Sequence, residues 1–226
     1  MTSFNSTGFG ISVQEYIETL LLFTDVLCIQ EHFLLDAKDK KYSNTNKLRK
    51  RYNDCDMFIV PEVKNNYQVS KGRGKGGLAT IFSKKITKYV SKIKCDNYRL
   101  QATKFNFPSG PVMEINTYFP CDPRTVNFDD TELVGLLTDI QNIIVQSSIS
   151  SIWLAGDLNC HFLRNTTFTN FVKNHFSDTG LHLLWENMDE IQGIIPVDYT
   201  FTSFTNRAAS FSTIDHFACS RQMKQE

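Results

Sequence analysis

Five groups of polar residues in this 226-residue chain stand where apolar segments end or are interrupted. Gln30-Glu31-His32 follows the apolar run 26–29, and Gly156-Asp157-Leu158-Asn159 follows the run 151–155. Asn116-Thr117-Tyr118 closes a third run, Asp215-His216 interrupts a fourth, and Asn5 precedes the first helical stretch. A carboxylate at the mouth of a buried strand is costly unless it meets a cation or a donor. Asp157 and Asn159, two apart, fall on one side of an extended turn. Each group alone has an ordinary account: an exposed strand end, an Asp capping a turn, or a core tyrosine with a satisfied hydroxyl. Taken together they supply hard oxygen donors, and Mg²⁺ takes only one or two carboxylates alongside waters and substrate phosphate. Such a cluster beside a basic face suits metal-assisted phosphodiester hydrolysis. There the ion stabilises the developing oxyanion and a carboxylate positions the attacking water.

Positioning these groups requires alternating strands and helices. Residues 13–23 (VQEYIETLLLF) have helical apolar spacing, and 26–29 (VLCI) reads as a buried strand. Residues 38–52 read as a basic loop or an exposed helix. Strands are expected at 57–61, 77–82, 86–93, 99–107 and 112–119, and a helix over 128–147. Residues 151–155 form another buried strand, 168–175 and 181–188 look helical, and 199–202 and 213–218 read as strands around a polar bend at 205–209. Layers of strands and helices in one α/β domain follow. The strands from 77 to 119 have no helix between them, which favours mixed or antiparallel sheets.

Composition narrows the class. Charged residues make up 21% and hydrophobic ones 41%, so wholesale disorder is excluded. No apolar run is long enough to span a membrane, and no signal peptide is expected. The six cysteines are scattered without a CxxC pair, which fits reduced thiols in an intracellular protein. The net charge of zero hides a partition. Residues 36–104 hold 18 of the 24 Lys and Arg against 6 of the 24 Asp and Glu, a local excess of +12. Such an excess suits a polyanionic partner, although a solvated lysine-rich region would also account for it.

The order and wording of these motifs resemble the endonuclease/exonuclease/phosphatase superfamily. The resemblance is closest to the apurinic-endonuclease-like domains of non-LTR (LINE-type) retrotransposons. It is carried by SFNSTG (3–8), DVLCIQEHFL (25–34), GKGGLAT (74–80), INTYFPCD (115–122), IWLAGDLN (152–159) and YTFTSF…FSTIDHF (199–217). It implies a DNase I-like four-layer α/β sandwich, two mixed β-sheets face to face with helices outside, over 1–226 as a single domain. By the same resemblance Glu31 is the principal metal carboxylate and Asn5 lies beside the metal. Asp157 orients or deprotonates the attacking water, Asn159 and Tyr118 contact the phosphate, and Asp215 orients a catalytic histidine. The cofactor implied is Mg²⁺, with Mn²⁺ as a substitute, and the partner is DNA, cut as a nick before target-primed reverse transcription in the nucleus. Arg73 and Lys75 in the basic segment, and Thr205, Asn206 and Arg207 in the polar bend, are the expected DNA contacts. Cys121 stands where many relatives have Asn. The family's Ser-Asp-His segment, with its last strand, lies beyond the position of Asp215-His216 and is expected to be missing, so His216 is not assigned the catalytic role. Two other functions fit the sequence: a nucleic-acid-binding fragment that does not cut, and a phosphatase or phosphodiesterase on a small phosphate ester.

Overall fold

A computed structural model describes residues 1–34, 45–61, 76–121, 130–184, 201–205, 208–212 and 215–223. Its twelve described strands form two mixed sheets and a separate hairpin. The smaller sheet has the order β1-β2-β4-β3, built from β1 (Thr2–Asn5), β2 (Val26–Gln30), β3 (Cys55–Val60) and β4 (Leu78–Ser83). The larger has the order β5-β6-β7-β8-β12-β9, from β5 (Val90–Ile93), β6 (Leu100–Phe107), β7 (Gly110–Tyr118), β8 (Ser151–Asp157), β9 (Leu181–Leu183) and β12 (Asp215–Ser220). Strands β10 (Phe201–Thr205) and β11 (Ala208–Ser212) pair only with each other. The helices are α1 (Ile11–Leu21), α2 (Thr45–Arg51), α3 (Thr131–Ser147) and α4 (Thr167–Thr179). This is the four-layer α/β sandwich expected.

Alternation along the strands sets the layers. In β2, Leu27 and Ile29 join Ile17 of α1 and Leu48 of α2 in one apolar core. In β7, Met113 and Ile115 join Leu133, Leu136, Leu137 and Ile140 of α3 in another. The intervening residues of both sheets face each other and are polar. Gln30 donates to Asn116 Oδ1 at 2.7 Å, the Thr80 hydroxyl donates to Gln101 Oε1 at 2.7 Å, and the Cys28 thiol donates to Glu114 Oε1 at 3.0 Å. Burial is nearly complete at all six, so these bonds offset the cost of removing amides and hydroxyls from water.

Glu114 dominates the electrostatics of this layer. Burial pushes its carboxyl up to about 7, opposed by hydrogen bonds from Cys28 and neighbouring threonines. Its folded value therefore lies above its unfolded one, and the folded protein binds the extra proton between roughly pH 4.5 and 7. Stability is expected to fall as pH rises through that window. Glu114→Gln should match the wild type near pH 4.5 and exceed it above pH 7 by up to roughly 3 kcal/mol. Urea unfolding across pH measures this, and an unchanged pH slope would contradict it.

Three expected elements differ. The strand expected over 86–93 begins as a 3₁₀ turn, Thr87–Tyr89, with only Val90–Ile93 in the sheet, and the bend expected at 205–209 gives way to strand β11 from Ala208. Residues 181–188 have a helical look, but Leu181–Leu183 is strand β9, paired antiparallel with Ala218–Ser220. Gly180, at φ 71, ends α4 in the left-handed conformation and turns the chain into the sheet. Residues 185–188 lie outside the described residues. No described helix is long and apolar enough to cross a membrane.

Candidate active site

Strand direction brings the polar groups to one end of the sandwich. β1 and β2 run parallel with Asn5 beside Gln30, so Glu31 emerges just past Asn5. β7 and β8 run parallel with Tyr118 beside Asp157, and antiparallel β12 sets Asp215 opposite Asp157. Two sheets thus deliver Asn5 and Glu31 from one side, and Tyr118, Asp157 and Asp215 from the other.

The two sides meet at Asn5. Its Nδ2 donates to Glu31 Oε2 at 3.0 Å and to Asp157 Oδ2 at 2.6 Å. The Thr7 N–H donates to Asn5 Oδ1 at 3.0 Å, which fixes the orientation of the amide. Asn5 therefore offers nitrogen, not oxygen, to the carboxylates. It bridges them as a donor, with its oxygen turned to the Thr7 N–H. Without that donor two carboxylates would approach with nothing between them.

The Asp157 carboxylate is held on both sides. Its Oδ1 accepts the Asn159 N–H at 2.8 Å, an Asx turn that places Asn159 at φ 47. Asn159 Nδ2 then donates to the Phe119 carbonyl at 2.9 Å, tying the turn to the end of β7. Gly156 makes the approach possible, since a Cβ there would overlap the Thr117 carbonyl. Asp157 is only 2% exposed. Burial first, then the charge of Asp215, push its carboxyl up to about 7, against the hydrogen bonds from Asn159 and Asn5. A carboxylate poised near neutrality can accept a proton from water at physiological pH. Asp215→Asn removes the repulsion and should lower the Asp157 pKa. Carboxyl ¹³C shifts of the metal-free protein measure it, and an unmoved or raised value would contradict the coupling.

Tyr118 lies over the same end. Burial, then the charge of Glu31, push its phenol far above the ordinary range, so it stays an O–H donor. Arg99 supports it from behind. The guanidinium sits 4.9 Å from the Tyr118 ring centre, and Nη1 approaches the Tyr118 carbonyl at 3.4 Å. Glu132 of α3 anchors the same guanidinium at 2.7 Å. The sequence held no reason to separate Arg99 from the other basic residues. Its place in the turn before β6 and the carboxylate on α3 single it out only in the fold.

The other predicted residues fall as follows. Cys121 Sγ lies 3.7 Å from Asn159 Oδ1, and burial and then Asp157 keep its thiol protonated. His216 faces away from the site by strand alternation. It is buried edge-on to Phe162, with Nε2 2.8 Å from the Cys160 carbonyl. Thr205 pairs with Ala208, so the polar bend is a hairpin closing over 206 and 207. Asn206, Arg207, Arg73 and Lys75 lie outside the described residues. Lys84 and Lys85 follow Ser83, which pairs near the start of β2, at the end of the sheet away from Glu31. The stretch 62–75, by contrast, leaves after Val60 and returns before Leu78, which registers with both Val60 and Gln30 at the site end.

Among the described residues no three His, Cys, Asp or Glu side chains form an enclosing metal cluster. Mg²⁺ does not need one, because waters and substrate phosphate complete its shell. A half-buried Glu31 beside buried Asp157 and half-buried Asp215 is compatible with that mode.

No family model and no curated protein matches this chain. The fold is nonetheless that of the endonuclease/exonuclease/phosphatase proteins. The endonuclease domain of TRAS1, a telomere-specific non-LTR retrotransposon, superposes with a TM-score of 0.62 at 12% identity, over 99% of this chain and 85% of that one. The AP endonuclease LMAP from Leishmania major gives 0.69 at 16% identity, over 99% and 79%. The 3′ phosphatase NExo from Neisseria, solved with product DNA hairpin, gives 0.62 at 15% identity, over 99% and 87%.

Proposed function

We propose that this chain is a divalent-metal-dependent phosphodiester hydrolase that nicks DNA, of the kind carried by non-LTR retrotransposons. The observation that carries the reading is the Asn5 amide joining Glu31 and Asp157 across the two sheets. It sets an ion-binding carboxylate and a proton-accepting one side by side. A bound Mg²⁺ would supply charge for the phosphoryl oxygens and the departing oxygen. Asp157 holds the water and takes its proton as the oxygen attacks phosphorus. The P–O3′ bond breaks and the departing 3′-oxygen takes a proton from solvent water, leaving a 3′-hydroxyl and a 5′-phosphate. Tyr118 donates its phenolic hydrogen to a phosphate oxygen, and the Asn159 side chain stands on the same side of the phosphate. Asp215 raises the basicity of Asp157 and is matched by resemblance to the partner of a catalytic histidine. Arg73 and Lys75 of the basic segment are the candidates for backbone phosphates, and Asn206 and Arg207, between β10 and β11 in sequence, for a groove.

Conversion of supercoiled plasmid to open circles tests this. Nicks should require Mg²⁺ and carry ends that a polymerase extends directly. Ends that need phosphate removal first, or release of phosphate from 3′-phosphoryl ends without nicking, would favour a phosphatase instead.

A further inference from the structure

We propose that His32 positions the Glu31 carboxylate, as a neutral imidazole clamped between the exit of β2 and the entry of β4. This rests on the reading of Glu31 as the ion ligand. Glu31 and Phe33 both adopt left-handed backbone, at φ 54 each. Side chains with a Cβ enter that region at a cost, so two such residues around one position need surroundings that fix them. The imidazole between them is such a fixture. His32 is fully buried. Its Nδ1 accepts the Leu34 N–H at 2.9 Å, and its Nε2 donates to the Leu78 carbonyl at 3.2 Å. An Nδ1 that accepts carries no proton, so the tautomer is set as neutral Nε2–H.

The opposite wall is Gly77, at φ +92. A Cβ there would lie 2.5, 2.7 and 2.9 Å from three ring atoms, so the ring takes the space a side chain would use. The Phe33 N–H donates to the Gly76 carbonyl at 3.1 Å, and the Glu31 carbonyl accepts the Gly8 N–H at 2.8 Å. The turn that carries Glu31 is thereby tied to β4 through His32 and Phe33, and to the β1 exit through Glu31. Both ring nitrogens are consumed by backbone, so His32 is not itself an ion ligand. A ring serving only as core filler would need neither both backbone bonds nor a glycine opposite it. Outer groups that orient a metal-binding carboxylate typically change ion affinity 10–100-fold when removed.

Four variants and one direct observation test this. His32→Asn keeps an acceptor near the Nδ1 position, His32→Gln keeps a donor near Nε2, and His32→Phe keeps ring volume without either. Gly77→Ala leaves the imidazole but presses a methyl against it. Mn²⁺ dissociation constants from water-proton relaxation are compared in variants whose near-UV circular dichroism matches wild type. His32→Phe and Gly77→Ala should each weaken Mn²⁺ binding roughly 10–100-fold, and His32→Asn or His32→Gln should recover part of the loss. Long-range ¹H–¹⁵N spectra of the wild-type ring should show the neutral Nε2–H tautomer, a readout that needs no variant to fold. An Nδ1–H tautomer, or wild-type Mn²⁺ affinity in folded His32→Phe and Gly77→Ala, would overturn the inference. Glu31→Gln separates the two levels. Unchanged Mn²⁺ binding in that variant refutes the ion-ligand reading itself. Loss there, with none in the His32 and Gly77 variants, refutes only the role of His32.

Discussion

Asp157→Asn is expected to lower plasmid nicking by roughly 10³-fold or more without unfolding the protein. The substitution keeps the volume of the side chain and an oxygen for the Asn159 N–H, so the turn after β8 should survive. It removes the negative charge that takes the proton from water. It also sets an amide against the Asn5 Nδ2 group that approaches Asp157 Oδ2 at 2.6 Å. A carboxylate only 2% exposed and lifted toward 7 is costly to keep in a folded protein. The Asn variant should therefore be at least as stable as the wild type above pH 7, while nearly inactive. That pairing marks a group kept for chemistry and not for packing. Single-turnover nicking and urea unfolding on the same preparation measure both. Nicking within tenfold of the wild type would remove Asp157 from the mechanism.

Asn5→Ala should have the next largest effect, a loss of roughly 10²-fold in nicking. Asn5 joins Glu31 to Asp157 across the two sheets, serving both carboxylates with one amide group. Removing it leaves two carboxylates of opposite sheets without their shared donor. The Asp157 carboxyl should then move further up, because the Asn5 bond is one of the forces holding it down. The rising limb of the pH–rate profile should accordingly shift to higher pH, opposite in direction to the shift from Asp215→Asn. Asn5→Asp should be worse than Asn5→Ala, because it adds a third negative charge where a donor is required. If Asn5→Asp is as active as the wild type, the bridge is not needed for function.

These predictions bear on residues that the sequence exposed to different degrees. Glu31 and Asp157 were legible because each follows an unbroken apolar run, where an ionisable group is out of place. Asn5 stood out only as a polar residue ahead of the first helix, and its part as a donor to both carboxylates needed the fold. The face-to-face polar layer was hidden for a physical reason. Alternation in β6 and β7 reads as one buried face and one wet face. Here the helices cover the apolar faces, and the polar faces carrying Gln101, Glu114 and Asn116 are buried against those of the other sheet. Strand β9 was misread because its three residues carry almost no periodicity, and the partner that makes them a strand, Ala218–Ser220, is distant in sequence. The same distance concealed the fit of Gly77 to His32, and that of Arg99 to Tyr118 and Glu132. The charge excess of 36–104 was legible as a number, and its parts 36–44 and 62–75 lie outside the described residues.

The central claim is that Glu31 and Asp157, joined by Asn5, form one metal-dependent hydrolytic centre. The most direct test is the initial rate of plasmid nicking against Mg²⁺ concentration, for the wild-type protein and its Glu31→Gln variant, with both shown to be folded. The account predicts saturable, Mg²⁺-dependent nicking by the wild type, abolished by chelation. The Glu31→Gln rate should be at least roughly 10²-fold lower at low Mg²⁺ and only partly recovered at high Mg²⁺. Equal rates in the two proteins across the whole range, or no Mg²⁺-dependent nicking by the folded wild type, would contradict it.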